Sequence, residues 1–151
     1  MFVLMEVTNM KFSTKGRYAL RVIIDLAEHN SGNYIPLTDI AARQEISEKY
    51  LESIVSVLSK NGYVDAMRGK GGGYRLNRSP DEYTVGSIIR LIEGSLSPVS
   101  CLEPGAAPCS RRAECRTISM WTGLQNLIND YLDGITVGDL IRDETVADYV
   151  I

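Results

Sequence analysis

The stretch Glu45-Ile46-Ser47-Glu48-Lys49-Tyr50-Leu51-Glu52-Ser53-Ile54-Val55-Ser56-Val57-Leu58-Ser59-Lys60-Asn61-Gly62 decides the fold. Ser47 carries a hydroxyl that can accept from the free N–H groups of a first helical turn, so it marks a helix start. Leu51, Ile54, Val55 and Leu58 then recur at the three- and four-residue spacing of one apolar helical face. Gly62 marks the end, because a left-handed residue after a helix is least strained as glycine. The opposite face carries Lys49, Glu52, Ser53 and Ser56. Taken alone, such a face reads as solvated surface; its neighbours in the chain point elsewhere.

Working backward, residues 37–44 read as a short helix with Leu37, Ile40 and Ala41 inside, and Glu45-Ile46 makes the turn. Two helices joined by about three residues match a helix-turn-helix, whose second helix enters the DNA major groove, although short helical pairs occur in many folds. Residues 34–35 read as a short strand before Pro36. Residues 14–29 form a first helix with a broad apolar stripe of Tyr18, Ala19, Val22, Ile23, Leu26 and Ala27. Lys15, Arg17 and Arg21 lie near its start, where cations oppose the helix dipole. That placement makes sense if they face phosphate; exposure to solvent is equally allowed.

Working forward, residues 63–67 and 74–77 read as two strands around Arg68-Gly69-Lys70-Gly71-Gly72-Gly73. This is a basic, glycine-rich hairpin, or wing. Glycine lets the backbone approach a phosphate or enter a narrow groove, and Arg68 and Lys70 supply charge. The alternative is a flexible surface turn. A phosphate-binding loop is ruled out, because no Gly-Lys-Ser/Thr ending leads into a helix. Helix-turn-helix and basic wing in this order are more specific than either alone.

Thr84 caps a further helix at 85–93 and Gly94 stops it. Residues 95–116 then lose periodicity; they hold three prolines with Cys101, Cys109 and Cys115. Such a loop in a small domain is functional or disordered. Ile118, Trp121, Leu124, Leu127, Ile128, Tyr131 and Leu132 give a long amphipathic helix at 117–133. Its simplest use is pairing with its copy in a second subunit; the alternative is a helix folded back on its own domain. Thr136 caps a last short helix at 137–142. The expected architecture is mainly α with a small β-hairpin wing: a winged helix-turn-helix domain plus a long dimerisation helix. The expected division is a disordered extension at 1–9, the DNA-binding domain at 10–94, a cysteine loop at 95–116, the dimerisation helix and short terminal helix at 117–142, and a tail at 143–151.

Bulk properties agree. The chain of 151 residues has a net charge of −3. Residues 10–80 carry 11 Lys and Arg against 7 Asp and Glu, whereas residues 81–151 carry 5 against 11. A basic first half and an acidic second half suggest a polyanion partner for the first half only, or chance variation over a small count. No apolar run is long enough to span a bilayer, and residues 1–9 lack the basic start of a signal peptide, so a cytoplasmic protein without a membrane partner is expected. In that reducing compartment three cysteines favour metal or redox chemistry over a structural disulfide.

The cysteines are spaced C-x7-C-x5-C. Three thiols on one loop can converge on one centre, and thiolates are soft ligands that suit iron–sulfur clusters, zinc or copper(I). The C-x-x-C of zinc ribbons is absent. Arg111, Arg112 and Arg116 would lower the thiol pKa values and compensate the charge of a thiolate-bound cluster. Unligated, reduced cysteines are the alternative. A fourth ligand is not evident: the single histidine, His29, is distant in sequence, leaving Glu103, Glu114 or a residue of a second subunit. No paired carboxylates or nucleophile–base set suggests catalysis. A small iron–sulfur redox carrier is the rival from another class, but it would not need the wing.

Four segments carry a family resemblance: Ser13-Thr14-Lys15-Gly16-Arg17-Tyr18-Ala19-Leu20, Pro36-Leu37-Thr38-Asp39-Ile40-Ala41, Ile46-Ser47-Glu48-Lys49-Tyr50-Leu51-Glu52 and Val64-Asp65-Ala66-Met67-Arg68-Gly69-Lys70-Gly71-Gly72-Gly73-Tyr74. Together they resemble the IscR-type winged-helix transcription regulators, over roughly residues 10–142. The resemblance implies a homodimer that presents two recognition helices to a two-fold symmetric site on double-stranded DNA, acting as a repressor of iron–sulfur assembly or sulfur-metabolism genes. It implies base readout by Ser47, Lys49, Tyr50, Glu52 and Ser53, and a DNA contact by Arg68; Lys70, Lys15 and Arg17 are the further candidates for phosphate. It also implies an iron–sulfur cluster on Cys101, Cys109 and Cys115, 2Fe–2S in preference to 4Fe–4S. A carboxylate at Glu52 can accept from cytosine N4 but repels phosphate, so it can select among sites. The chain departs from the pattern at Ile118, where IscR has its histidine ligand, and at Arg17, where NsrR-like proteins can use an aspartate. Its first intercysteine gap is two residues longer than in IscR, and Pro98-Val99 resembles the CymR-like branch. A cluster-free cysteine-metabolism or thiol-redox regulator is therefore the alternative within the family.

Overall fold

Helix α1 (Thr14–Glu28) is the central helix of the core. Ser13 starts it, its Oγ accepting from the Gly16 N–H at 3.0 Å. Ala19, Val22, Ile23 and Leu26 follow at helical spacing and are buried, as the apolar stripe requires. The computed structural model describes residues 11–142; the extension expected at 1–9 and the tail expected at 143–151 lie outside the described residues. Among the described residues no helix is long and apolar enough to cross a membrane.

The helices α2 (Leu37–Gln44) and α3 (Glu48–Lys60) pack on α1 and on each other. Glu45 makes their turn in the left-handed region, φ 54°, and is the one non-glycine residue with positive φ among those described. The ends of α3 fall where Ser47 and Gly62 predict them. Ser47 Oγ accepts from the Tyr50 N–H at 3.2 Å. At the other end Gly62, φ 75°, donates to Ser59 O at 3.1 Å and Tyr63 donates to Leu58 O at 2.9 Å, the paired bonds of a left-handed C-terminal cap. Leu51, Ile54, Val55 and Leu58 are fully buried.

Strands β1 (Val64–Met67) and β2 (Gly73–Leu76) form the antiparallel hairpin, with Val64 opposite Leu76 and Met67 opposite Gly73. Ile35 adds a bridge to the outer edge of β2: its N–H donates to Tyr74 O at 2.8 Å and its carbonyl accepts from Tyr74 N–H at 2.9 Å. Gly73 permits this approach, since a Cβ there would lie 2.1 Å from Ile35 O. The buried Tyr83 pins the base of the wing, its hydroxyl donating to Tyr63 O at 2.7 Å.

Helix α4 (Val85–Glu93) packs against α1, and Gly94, φ 79°, ends it. The chain then runs through the cysteine loop, with short 3-10 turns at Ser100–Leu102 and Arg112–Glu114, into α5 (Ile118–Asp133). Helix α6 (Val137–Arg142) returns to the core: Val137 is fully buried and donates to Tyr83 O at 2.9 Å, while Val85 donates to Ile135 O at 2.8 Å. The last two helices of the chain therefore differ in kind. Helix α6 packs on α1, whereas no residue of α5 is buried. The mainly α architecture with a two-stranded wing is the one the sequence predicts.

Candidate nucleic-acid interface

The first turns of α3 show their polar side chains outward. Lys49, Glu52 and Ser53 are exposed, and Tyr50 is half-buried. The hydroxyls are partly committed within the helix: Ser47 caps the Tyr50 N–H, and Ser53 Oγ donates to Tyr50 O at 2.6 Å. Lys49 and Glu52 remain as the outward charged pair, one able to reach phosphate and the other able to reject it.

The wing lies beside the same helix. Ser56, Ser59 and Lys60 of α3 and Ala66, Met67, Arg68 and Tyr74 of the hairpin border one groove of about 270 Å³. Arg68 and Lys70 are both exposed at the wing tip. Helix and wing thus lie side by side, with Lys60 and Arg68 bordering a gap that a polyanion backbone could enter.

The basic start of α1 divides. Lys15 is half-buried; Arg17 is exposed and donates to Thr14 Oγ1 at 3.2 Å. Arg21, grouped with them by sequence, turns inward. Its Nε donates to Gln44 Oε1 at 3.0 Å and its terminal nitrogen donates to Gln44 O, closing the C-terminus of α2. Its guanidinium also lies 4.9 Å from the centroid of the Tyr18 ring. A cation at the carbonyl end of a helix is stabilising, so Arg21 has a use inside the protein without phosphate.

Sequence reasoning missed the support beneath this surface. Asp25 is 1% exposed, the one buried charged side chain among the described residues. It accepts from Arg43 Nε at 3.0 Å, Arg43 NH2 at 2.7 Å and Gln44 Nε2 at 2.9 Å. Burial by itself would raise its pKa; the bonds from Arg43 and Gln44, with the charges of Arg43 and His29, outweigh burial and hold it below the ordinary carboxylate value. The same partnership raises the Arg43 pKa. The signal was present as an aspartate inside the stripe Val22, Ile23, Leu26. Glu93 is a second such residue. Its Oε1 accepts from Ser13 N–H at 2.7 Å and Ser13 Oγ at 2.6 Å, placing the end of α4 against the start of α1.

The cysteine loop is tied to α5 by Gln125, whose Nε2 donates to Ser97 Oγ at 3.1 Å; that hydroxyl donates to Leu102 O at 3.0 Å. All three cysteines are free; Cys109 is exposed, and Cys101 and Cys115 are half-buried. The sulfurs are not gathered: no group of three His, Cys, Asp or Glu side chains poised for a metal ion occurs among the described residues. The donor set suits a soft metal centre in kind, and the loop holds its members apart. The Cys115 thiol lies 3.6 Å from Thr117 Oγ1, and this contact, with neighbouring backbone and Arg111, lowers its pKa.

Helix α5 leaves much of its apolar face uncovered. Met120, Leu127 and Tyr131 are 56%, 68% and 70% exposed, and Trp121, Leu124 and Ile128 are only half-buried. Ile128, Tyr131 and Leu132 also border an open groove of about 740 Å³ shared with Phe12, Leu96 and Val99. An apolar face of this extent marks an association surface.

Comparison with known proteins gives a consistent picture. A family model, Rrf2, described as an iron-dependent transcriptional regulator, matches residues 12–143. The HTH-type transcriptional regulator IscR of Aliivibrio salmonicida is 42% identical over 137 residues, covering 91% of this chain and 80% of its own. The solved structure of CymR, the global cysteine regulator of B. subtilis, is 39% identical with a TM-score of 0.70, covering 87% of this chain and 96% of its own. That of T. potens IscR is 38% identical with a TM-score of 0.70, covering 93% of both chains.

Proposed function

Because the chain belongs to the Rrf2 family of transcriptional regulators, we propose that it is a cytoplasmic homodimer that binds a two-fold symmetric DNA site and represses transcription from it. The observation that carries this reading is the outward face of α3, with Lys49 and Glu52 exposed, beside the wing, whose Arg68 borders the groove between helix and hairpin. The exposed apolar face of α5 supplies the surface for the second copy. The protein is a regulator and not an enzyme.

In this reading Lys49 and Tyr50 approach the major groove with Ser47, Glu52 and Ser53 beside them. Arg68 and Lys70 reach the backbone or minor groove, and Lys15 and Arg17 neutralise flanking phosphates. Cys101, Cys109 and Cys115 would hold an iron–sulfur cluster, 2Fe–2S in preference to 4Fe–4S. When bound, that group supplies sensitivity to iron supply, oxidants or nitric oxide. The chain's part is to couple the loop to α5 through the Gln125–Ser97 contact, so that a change in the loop alters the geometry between dimer helix and wing. The matching targets are genes of iron–sulfur assembly or sulfur metabolism. The second reading is a cluster-free thiol regulator, favoured by the separation of the three sulfurs and by the lowered pKa of Cys115.

Two measurements test the proposal. A duplex enriched by the protein from a random-sequence library serves as probe. Arg68→Ala should weaken its binding and reduce the slope of log affinity against log salt by about 0.9 if one phosphate contact is lost. Unchanged affinity and slope would remove the wing from the interface. Iron and sulfide quantitation on anaerobically prepared protein, beside the variant with all three cysteines replaced by alanine, separates the cluster from the thiol reading. Iron bound only by the wild type supports the cluster. An iron-free wild type that still binds the duplex supports the thiol regulator.

A further inference from the structure

We propose that Tyr18 of α1 is a positioning residue for DNA recognition, setting the Tyr50 ring and with it the first turn of α3. This rests on the reading of Tyr50 as part of the DNA-contacting surface. The rings of Tyr18 and Tyr50 meet edge to face, with centroids 5.7 Å apart and planes at 83°. This is the favoured arrangement for two quadrupoles, and it fixes both position and tilt. Both rings are half-buried and pack against the core beneath.

Tyr18 is itself held. The Arg21 guanidinium lies 4.9 Å from its centroid, and Arg21 is bonded to Gln44. Gln44 donates in turn to the buried Asp25 carboxylate, which Arg43 grips at two points. A continuous run of contacts therefore leads from the ion pair at the α1–α2 contact to the ring at the mouth of the recognition helix. The Tyr50 ring is rooted in a rigid layer, and less motion has to be frozen when DNA binds. Tyr18 acts through Tyr50 in this arrangement, so the two side chains must be energetically coupled in DNA affinity.

A double-mutant cycle with the library-selected duplex as probe tests this. Tyr18→Leu keeps apolar bulk and removes the ring edge. In the wild-type background it should reduce affinity about three- to tenfold. In the Tyr50→Ala background the same change should have less than about a twofold effect. Tyr18→Phe, which keeps the ring, should retain wild-type affinity. Thermal midpoints of all variants report folding separately, and the coupling is read from variants that remain folded at the assay temperature. Equal losses from Tyr18→Leu in both backgrounds would overturn the proposal, as would a loss in Tyr18→Phe matching that of Tyr18→Leu, which would make the hydroxyl a direct contact. Full affinity in Tyr50→Ala would instead overturn the reading of Tyr50 as a contact, and failure to enrich any duplex would overturn the DNA-binding reading; either result removes this proposal with it.

Discussion

Arg43 on α2 closes a two-point ion pair on Asp25 in the middle of α1, at 2.7 and 3.0 Å, with Asp25 1% exposed. The bidentate fork compensates a charge that would otherwise be stranded away from water. Because the Asp25 pKa is lower in the folded chain than in the unfolded one, its contribution to stability is present above about pH 3.9. It is lost as pH falls further, through the folded value. The thermal midpoint of the wild type should therefore drop steeply below about pH 4. Asp25→Ala removes the buried charge and leaves Arg43, whose side chain already reaches solvent, without its partner; it should cost about 1.5–3 kcal/mol at neutral pH, with a flatter acid limb. Identical acid limbs in the two proteins would sink the assignment.

The wing glycines are not equivalent. Gly71 has φ 76° with open space around its missing Cβ, so Gly71→Ala should cost only the left-handed strain of about 1 kcal/mol. At Gly73 an added Cβ would lie 2.1 Å from Ile35 O, a backbone atom that cannot swing aside. Gly73→Ala should cost more than about 2 kcal/mol and break the Ile35–Tyr74 bridge. Urea unfolding ranks the two, and equal values would contradict the close approach.

Helix α1 has no acidic residue in its own first turn, while Lys15 and Arg17 sit there. Glu93 supplies the missing anion from α4. Glu93→Ala should destabilise the domain by about 1 kcal/mol. A Cβ on Gly16 would come within 2.3 Å of Glu93 Oε1, so Gly16→Ala should displace the carboxylate and cost a similar amount. The double variant should lose little more than either single one; additive losses would show that the two residues act separately.

Leu127 and Tyr131 stand on the exposed face of α5. Leu127→Glu places a charge in a surface read as covered by a second copy, and sedimentation velocity should find the variant monomeric. Its affinity for a two-fold symmetric duplex should fall by at least about tenfold, because the second half-site is no longer tethered to the first. A dimer of undiminished strength would move the interface elsewhere.

Glu52 faces outward one helical turn beyond the Ser47 cap. A carboxylate there penalises phosphate and accepts only from particular base edges. Glu52→Ala should keep or raise affinity for most duplexes while relaxing discrimination at one base pair by about 1–3 kcal/mol. Selection from a random library compares the two proteins directly, and an unchanged selected motif would exclude Glu52 from readout.

Sequence alone determined the elements and their order, because the signals are local. Ser47 and Gly62 bound α3 through hydrogen bonds to residues three to five positions away. Leu51, Ile54, Val55 and Leu58 reach the core by helical spacing alone. The run from Arg68 to Gly73 read as a turn between strands, and its charge with the preceding helices pointed to a wing. Tertiary structure decided which charged side chains remain available. Arg17 and Arg21 look alike in sequence, yet one is exposed and the other closes the end of α2, because Gln44 happens to lie over α1. Asp25 is buried with a partner on another helix, and Glu93 reaches a helix end 80 positions away in the chain. Such pairings depend on how the helices cross, a property of the packed core that periodicity along one segment cannot encode.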